Sequence, residues 1–150
     1  MIRLVSLLGV LAAAGLAAGP RPARADMSAC GAAYQAKDIH QQIDLYTSCL
    51  KHGGLVRTDV AGAFNNRGYA YEQLGERDKA LQDYISATQY DPTWPDYRVN
   101  RARLEAWKGD CAQAVADVET ALKMAPHRKP LLDFKARLIE SCPIISKPPA

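Results

Sequence analysis

The feature that most constrains this chain is a recurrence at an interval of 34 residues. Taking Ala61 as position 1, Phe64 falls at position 4, Gly68 at 8, Tyr71 at 11, Gly75 at 15, Ala80 at 20, Tyr84 at 24, Ala87 at 27 and Pro92 at 32. Starting again at Pro95 puts Ala102 at 8, Gly109 at 15, Ala114 at 20, Val118 at 24, Ala121 at 27 and Pro126 at 32. Self-similarity of this length marks a stack of supersecondary units, each packed on its neighbours. The positions have a physical logic. Small residues at 8 and 20 let two antiparallel helices approach and interlock their ridges. Tyr71, Tyr84 and Val118 fill the space around that contact. Gly75 and Gly109 stand where the first helix stops and the chain reverses, a C-cap role suited to a residue that tolerates positive φ. Pro92 and Pro126 end the second helix, and Pro95 is tolerated in the first turn of the next.

These residues resemble the tetratricopeptide repeat, a 34-residue helix-turn-helix with small, aromatic and proline positions in this order. The resemblance implies an all-α fold, a short right-handed solenoid of antiparallel helix pairs. Two complete units, 61–94 and 95–128, are flanked by partial ones. Residues 27–54 read as a degenerate hairpin in which Tyr46 takes the aromatic place, Cys49 stands where Ala87 and Ala121 do, and Gln42 replaces the small alanine. Residues 129–142 read as a C-terminal capping helix, closing a helical domain over 26–142. Residues 143–150, with three prolines in eight residues, read as a frayed tail.

The first 25 residues are set apart. Arg3 begins a short positive region, Leu4 to Ala18 is an uncharged apolar run, and Ala23-Arg24-Ala25 offers small residues at the two positions a signal peptidase needs. A run of about 15 residues is short for a membrane span of roughly 20. Residues 1–25 therefore read as a secretory signal and the chain as an exported bacterial type, periplasmic or secreted. The mature chain is expected to be soluble. Of 19 Lys+Arg and 16 Asp+Glu in the whole sequence, Arg3, Arg21 and Arg24 lie in that segment, where no acid occurs. The remainder is charge-balanced and has no electrostatic footprint for nucleic acid. Arg98, Arg101, Arg103 and Lys108 form no single stripe at helical spacing.

Export changes the meaning of the four cysteines, Cys30, Cys49, Cys111 and Cys142. An even count in a secreted chain points to disulfides. Four cysteines allow three pairings. The antiparallel stacking that the resemblance implies places Cys111 beside Cys142, and Cys30 beside Cys49 within the N-terminal hairpin, so Cys30–Cys49 and Cys111–Cys142 are expected, each clamping an end of the stack. The sequence Met27-Ser28-Ala29-Cys30 also loosely resembles the residues before a lipidated cysteine, but lipidation would leave Cys49 unpaired. No metal site and no cofactor is expected, because the cysteines are well separated and His40, His52 and His127 stand alone.

Repeats of this kind bind peptides or protein segments on the concave face formed by their first helices, chiefly through positions 2, 5, 9, 12 and 13. Carried onto this chain, the resemblance selects Asn65, Tyr69, Glu72 and Gln73 from the first unit. The second supplies Asp96, Val99, Arg103 and Trp107, and the capping helix supplies Asp133 and Arg137. Tyr69, Arg103 and Arg137 all fall at position 9 and are expected to form a ladder of long side chains, with Trp107 at one side as an apolar anchor. Aromatic and arginine side chains are the usual energetic centres of interfaces. The subclass of the family that clamps the carboxylate tails of chaperones uses a set of lysine, arginine and asparagine positions of which this chain matches only Asn100. Ser48, His52 and Asp59 lack the setting of a nucleophile elbow, so no enzyme is expected. The sequence thus points to a non-catalytic protein or peptide binder of the cell envelope, with association of two copies through an uncovered terminal face as the alternative.

Overall fold

A computed structural model describes residues 23–52 and 54–142, with side chains from residue 29 onward. The expected signal segment 1–25 lies almost entirely outside the described residues, and so does the expected tail 143–150. Among the described residues seven helices follow one another: α1 (Ala23–Gln35), α2 (Ile39–His52), α3 (Arg57–Gln73), α4 (Arg77–Tyr90), α5 (Pro95–Lys108), α6 (Cys111–Met124) and α7 (Lys129–Ser141). Each packs on its neighbours in the chain, and no strand occurs among the described residues. The fold is an all-α solenoid of helix pairs. Two boundaries differ from the sequence reading. Helix α3 starts at Arg57, a turn before position 1 of the repeat, because Val60 already bonds back to the Val56 carbonyl at 3.1 Å. Helix α1 begins at Ala23, inside the segment expected to be cleaved.

The two complete pairs turn in the same way. Gly75 and Gly109 have φ of 77° and 93°. In the first turn Gly75 N–H donates to the Glu72 carbonyl at 2.9 Å and Glu76 N–H to the Tyr71 carbonyl at 2.9 Å. In the second, Gly109 N–H donates to Ala106 and Asp110 N–H to Glu105, at 3.1 and 2.8 Å. This pair of bonds is the Schellman arrangement, which satisfies the last carbonyls of a helix and needs a left-handed residue, so both turns select glycine.

Three buried clusters run along the stack. Ala33, Tyr46, Cys49 and Ala63 join the first hairpin to α3. Ala80, Leu81, Tyr84 and Leu104 join α4 to α5. Ala102, Ala114, Val115, Val118, Ala121, Leu131, Leu138 and Cys142 bind α5, α6 and α7. Helices α3 and α4 approach closely at Gly68, where an added Cβ would lie 3.0 Å from Tyr84 Cε1, 3.1 Å from Asp83 Cβ and 3.2 Å from the Ala80 carbonyl. The equivalent Ala102 keeps its methyl because its partner at position 24 is Val118, smaller than Tyr84. The ends are pinned covalently. Cys30 is joined to Cys49 with Cα atoms 5.3 Å apart, and Cys111 to Cys142 with Cα atoms 5.9 Å apart. No helix among the described residues is long and apolar enough to cross a membrane.

Candidate binding face of the first helices

The first helices of successive pairs, α3 and α5, are linked by side chains at groove positions. Asn100 Nδ2 donates to Asn65 Oδ1 at 2.9 Å. Two turns further along α3, Glu72 Oε2 accepts from Arg103 Nη2 at 2.6 Å and from the Tyr84 phenol at 3.0 Å. Tyr84 is fully buried, and burial together with the neighbouring Glu72 carboxylate pushes its phenol well above the ordinary range. It therefore remains a donor and fixes the carboxylate from below, while Arg103 covers it from the solvent side. Tyr69 lies between the two links in sequence and stands 56% exposed.

At the α1 end, Tyr69 joins Ala33, Tyr34, Gln42, Tyr46 and Asn66 around an open depression of about 130 Å³. Tyr46 among them is buried, and burial raises its phenol, an effect only partly offset by the neighbouring Asn66 side chain. Gln42 Nε2 reaches the Ala36 carbonyl at 2.6 Å. At the α7 end, Asp96, Val99, Arg128, Pro130 and Leu131 line a smaller depression of about 70 Å³, in which Arg128 is ion-paired to Asp96.

Several sequence expectations are altered by this geometry. In the expected ladder of long side chains, Arg103 is paired with Glu72. Asp133 is 3.5 Å from Lys129 on its own helix, and Arg137 is exposed with no ion pair among the described residues. Val99 is half-buried against the α5–α7 core as well as lining the small depression, so packing takes much of its surface. Gln73 is exposed at the end of α3. Trp107 does not join the Asn65–Glu72 row. It stands 56% exposed over the α3–α4 turn, where it shares a depression of about 250 Å³ with Gly75 to Lys79, and the Arg77 guanidinium sits 4.9 Å from its ring centroid.

The most organised polar residues were missed by the sequence reading. Arg67 donates through Nε and Nη2 to both oxygens of Asp83 at 2.8 Å, and through Nη1 to Thr47 Oγ1 at 3.0 Å, tying α2, α3 and α4 together. Phe64 and Tyr71 flank its guanidinium, with centroids 5.4 and 5.8 Å away. In the next unit Arg101 forks onto Asp117, Arg98 adds a contact to Asp117 at 3.3 Å, and Arg101 lies 3.4 Å from Glu105. Arg67 and Arg101 are both at position 7, and Asp83 and Asp117 both at position 23, so the 34-residue register held the signal. The arginines of α5 are thus spent on carboxylates of the protein itself: Arg98 and Arg101 on Asp117, Arg103 on Glu72.

Among the described residues no group of three His, Cys, Asp or Glu side chains converges as a metal site. His52 Nδ1 lies 2.6 Å from the Ser48 carbonyl oxygen, so its ring caps the end of α2 and does not meet the Ser48 hydroxyl.

Residues 61–94 match the tetratricopeptide repeat family model. The whole fold is that of a tetratricopeptide-repeat solenoid. The chain is similar to the Arabidopsis OM64 TPR domain, at 24% identity with a TM-score of 0.68, over 80% of this chain and 98% of that one. It is also similar to the second TPR domain of human RPAP3 in complex with an HSP70 peptide, at 20% identity with a TM-score of 0.63, over 78% and 94% of the two chains. A third likeness is to the Yersinia enterocolitica type III secretion chaperone SycD in complex with a peptide of the translocator YopD, at 16% identity with a TM-score of 0.59, over 81% and 89%.

Proposed function

We propose that this tetratricopeptide-repeat chain is a non-catalytic interaction module that binds a peptide segment or a partner helix on the face of its first helices. The observation that carries the reading is the row of solvent-accessible polar groups shared by α3 and α5. Asn65 with Asn100, and Glu72 with Arg103, are already held in place by each other, which lowers the ordering cost of binding. The RPAP3 and SycD domains of the same fold are peptide complexes, which supports this use of the fold. A photo-crosslinking residue at position 69 should give adducts with partner proteins, and the same residue at exposed position 112 on α6 should not. Equal yields at the two positions end the reading.

The proposed setting is the cell envelope, after removal of the first 25 residues. Four cysteines in two pairs within bridging distance support it, because such pairs persist in oxidising compartments. Cell fractionation with sequencing of the mature N-terminus tests it. An extracytoplasmic protein beginning near Asp26 is expected, and a cytoplasmic protein retaining Met1 refutes it.

Association of two copies is a second reading, favoured by Leu132 and Ile139. They are 46% and 38% exposed and two turns apart on α7, whose outer side no further helix covers among the described residues. Sedimentation decides it, since a concentration-independent monomer removes this reading.

A further inference from the structure

We infer that the outer face of α7 pairs antiparallel with α7 of a second copy of this chain, about a two-fold axis level with Lys135, so that Asp133 of each copy meets Arg137 of the other. The inference rests on the self-association reading above and adds to it the partner helix, its direction and its contacts. Its first support is the repeat register. Counting from Lys129 as position 1, Leu132, Ala136 and Ile139 stand at positions 4, 8 and 11, where α3 carries Phe64, Gly68 and Tyr71. Those three residues of α3 receive α4. Phe64 stacks on Tyr90 with ring centroids 5.6 Å apart, Gly68 lies against Tyr84, and Tyr71 packs on the cluster that holds Ala80, Leu81 and Tyr84. On α7 the same positions are exposed, and no further helix follows among the described residues. This face therefore carries the small and apolar positions that receive a helix elsewhere in the stack.

The second support is charge, which selects the helix. At 3.6 residues per turn the exposed side of α7 has Leu132 and Ile139 along one edge, Ala136 near the middle, and Asp133 and Arg137 along the other edge. In an antiparallel two-fold pair each edge meets the same edge of the other copy, and a contact from one residue to a second is answered by the second to the first. Leu132 with Ile139, Asp133 with Arg137, and Lys129 with Glu140 are all centred on Lys135 to within a residue, so one axis brings the three pairs together at once. Apolar side chains then meet apolar ones, and each acid meets a base. A parallel pair would set the apolar edge of each copy against the charged edge of the other. Within one copy these charges are lightly used: Asp133 accepts from Lys129 through one oxygen at 3.5 Å, and Arg137 and Glu140 have no ion pair among the described residues.

The test is sedimentation equilibrium of the full chain, taken to roughly millimolar concentration because one helix against another makes a small interface and a weak dimer. The wild type should dimerise and Leu132→Glu should remain monomeric. Asp133→Arg alone, or Arg137→Asp alone, sets like charges against each other across the axis and should weaken association roughly tenfold or more. Mixing these two variants in equal amounts should restore wild-type association, because every charged contact between the unlike copies again joins an acid to a base. The double exchange Asp133→Arg/Arg137→Asp in one chain should restore it too. All the substituted positions are exposed, and thermal unfolding verifies that each variant folds. Association that the single charge exchanges leave unchanged, or that mixing fails to restore, overturns the antiparallel pairing while the self-association reading stands. Association that Leu132→Glu leaves intact moves the contact off α7 and does the same. A concentration-independent monomer overturns both.

Discussion

Asp83 and Asp117 hold equivalent places in the two complete repeats, and each accepts a forked guanidinium from position 7 of its own unit. Asp83 and Arg67 have side chains only 7% and 17% exposed, so removing one partner strands a buried charge. Asp83→Ala should therefore cost about 3–5 kcal/mol, read as a shift in the urea midpoint. A change below about 1 kcal/mol, the value typical of exposed pairs, would show the pair to be solvated. The second unit is less evenly matched. Arg98 and Arg101 both serve Asp117, leaving Glu105 with one contact at 3.4 Å and its Oε2 without a hydrogen bond. Burial first, and the Asp117 carboxylate next, push Glu105 up to about 7 from 4.5. The native state thus keeps this proton over a range where the unfolded chain has lost it, so stability falls as pH rises from about 4.5 to about 7 and levels off above. The loss amounts to roughly 2–3 kcal/mol at most. Glu105→Gln should remove that slope and exceed the wild type in stability at pH 8. Urea titrations from pH 5 to pH 8 measure it, and an unchanged slope in the variant would assign the effect elsewhere.

At the scale of helices, the α3–α4 contact is set by matched sizes at positions 8 and 24. Gly68 faces Tyr84, and Ala102 faces Val118. Gly68→Ala gains helix propensity worth up to about 1 kcal/mol. It also places a methyl 3.0 to 3.2 Å from Tyr84, Asp83 and the Ala80 carbonyl, two of them backbone or near-backbone atoms that cannot swing aside. Overpacking of this kind costs about 1–3 kcal/mol, so a net loss in thermal stability is expected despite the better helix former. A gain would mean that the helices separate freely. The reverse change, Ala102→Gly, leaves a gap beside Val118 and loses propensity, so it too should destabilise. The helix pairs themselves were legible from spacing: glycine at position 15 and proline near 32 mark turns that local backbone chemistry dictates. The extra turn at the start of α3 was not, because Arg57 and Thr58 carry no stop signal and the periodic residues begin only at Ala61.

For the molecule as a whole, stability is a sum over neighbouring pairs, and the ends have one neighbour each. Cys30–Cys49 and Cys111–Cys142 close loops with sequence separations of 19 and 31 around those ends. Loop closure of this size is worth about 3–4 kcal/mol per bridge. Replacing Cys111 and Cys142 by serine should lower the unfolding temperature and loosen α7 first, seen as loss of amide protection in Lys129–Ser141 ahead of α3 and α4. Uniform loss along the chain would instead indicate one cooperative unit. The proposed binding face is also a property of the whole. Asn65 and Asn100 meet across 35 positions and Glu72 and Arg103 across 31, so neither link belongs to any one repeat.

The sequence by itself determined the helix count of the two complete units, their turns and the positions where small residues must sit, because each follows from a local backbone requirement repeated at a fixed interval. It also held the Arg67–Asp83 and Arg101–Asp117 pairs in its register. Tertiary structure alone decided which charges are spent inside the protein and which side chains reach solvent. The sequence leaves open whether Arg103 is free or paired until it is found 2.6 Å from Glu72, and Trp107 reads as a groove residue until it is found over the α3–α4 turn beside Arg77. Charge compensation and exposure depend on what the next helix brings within a few ångströms, and that distance is set by packing between units.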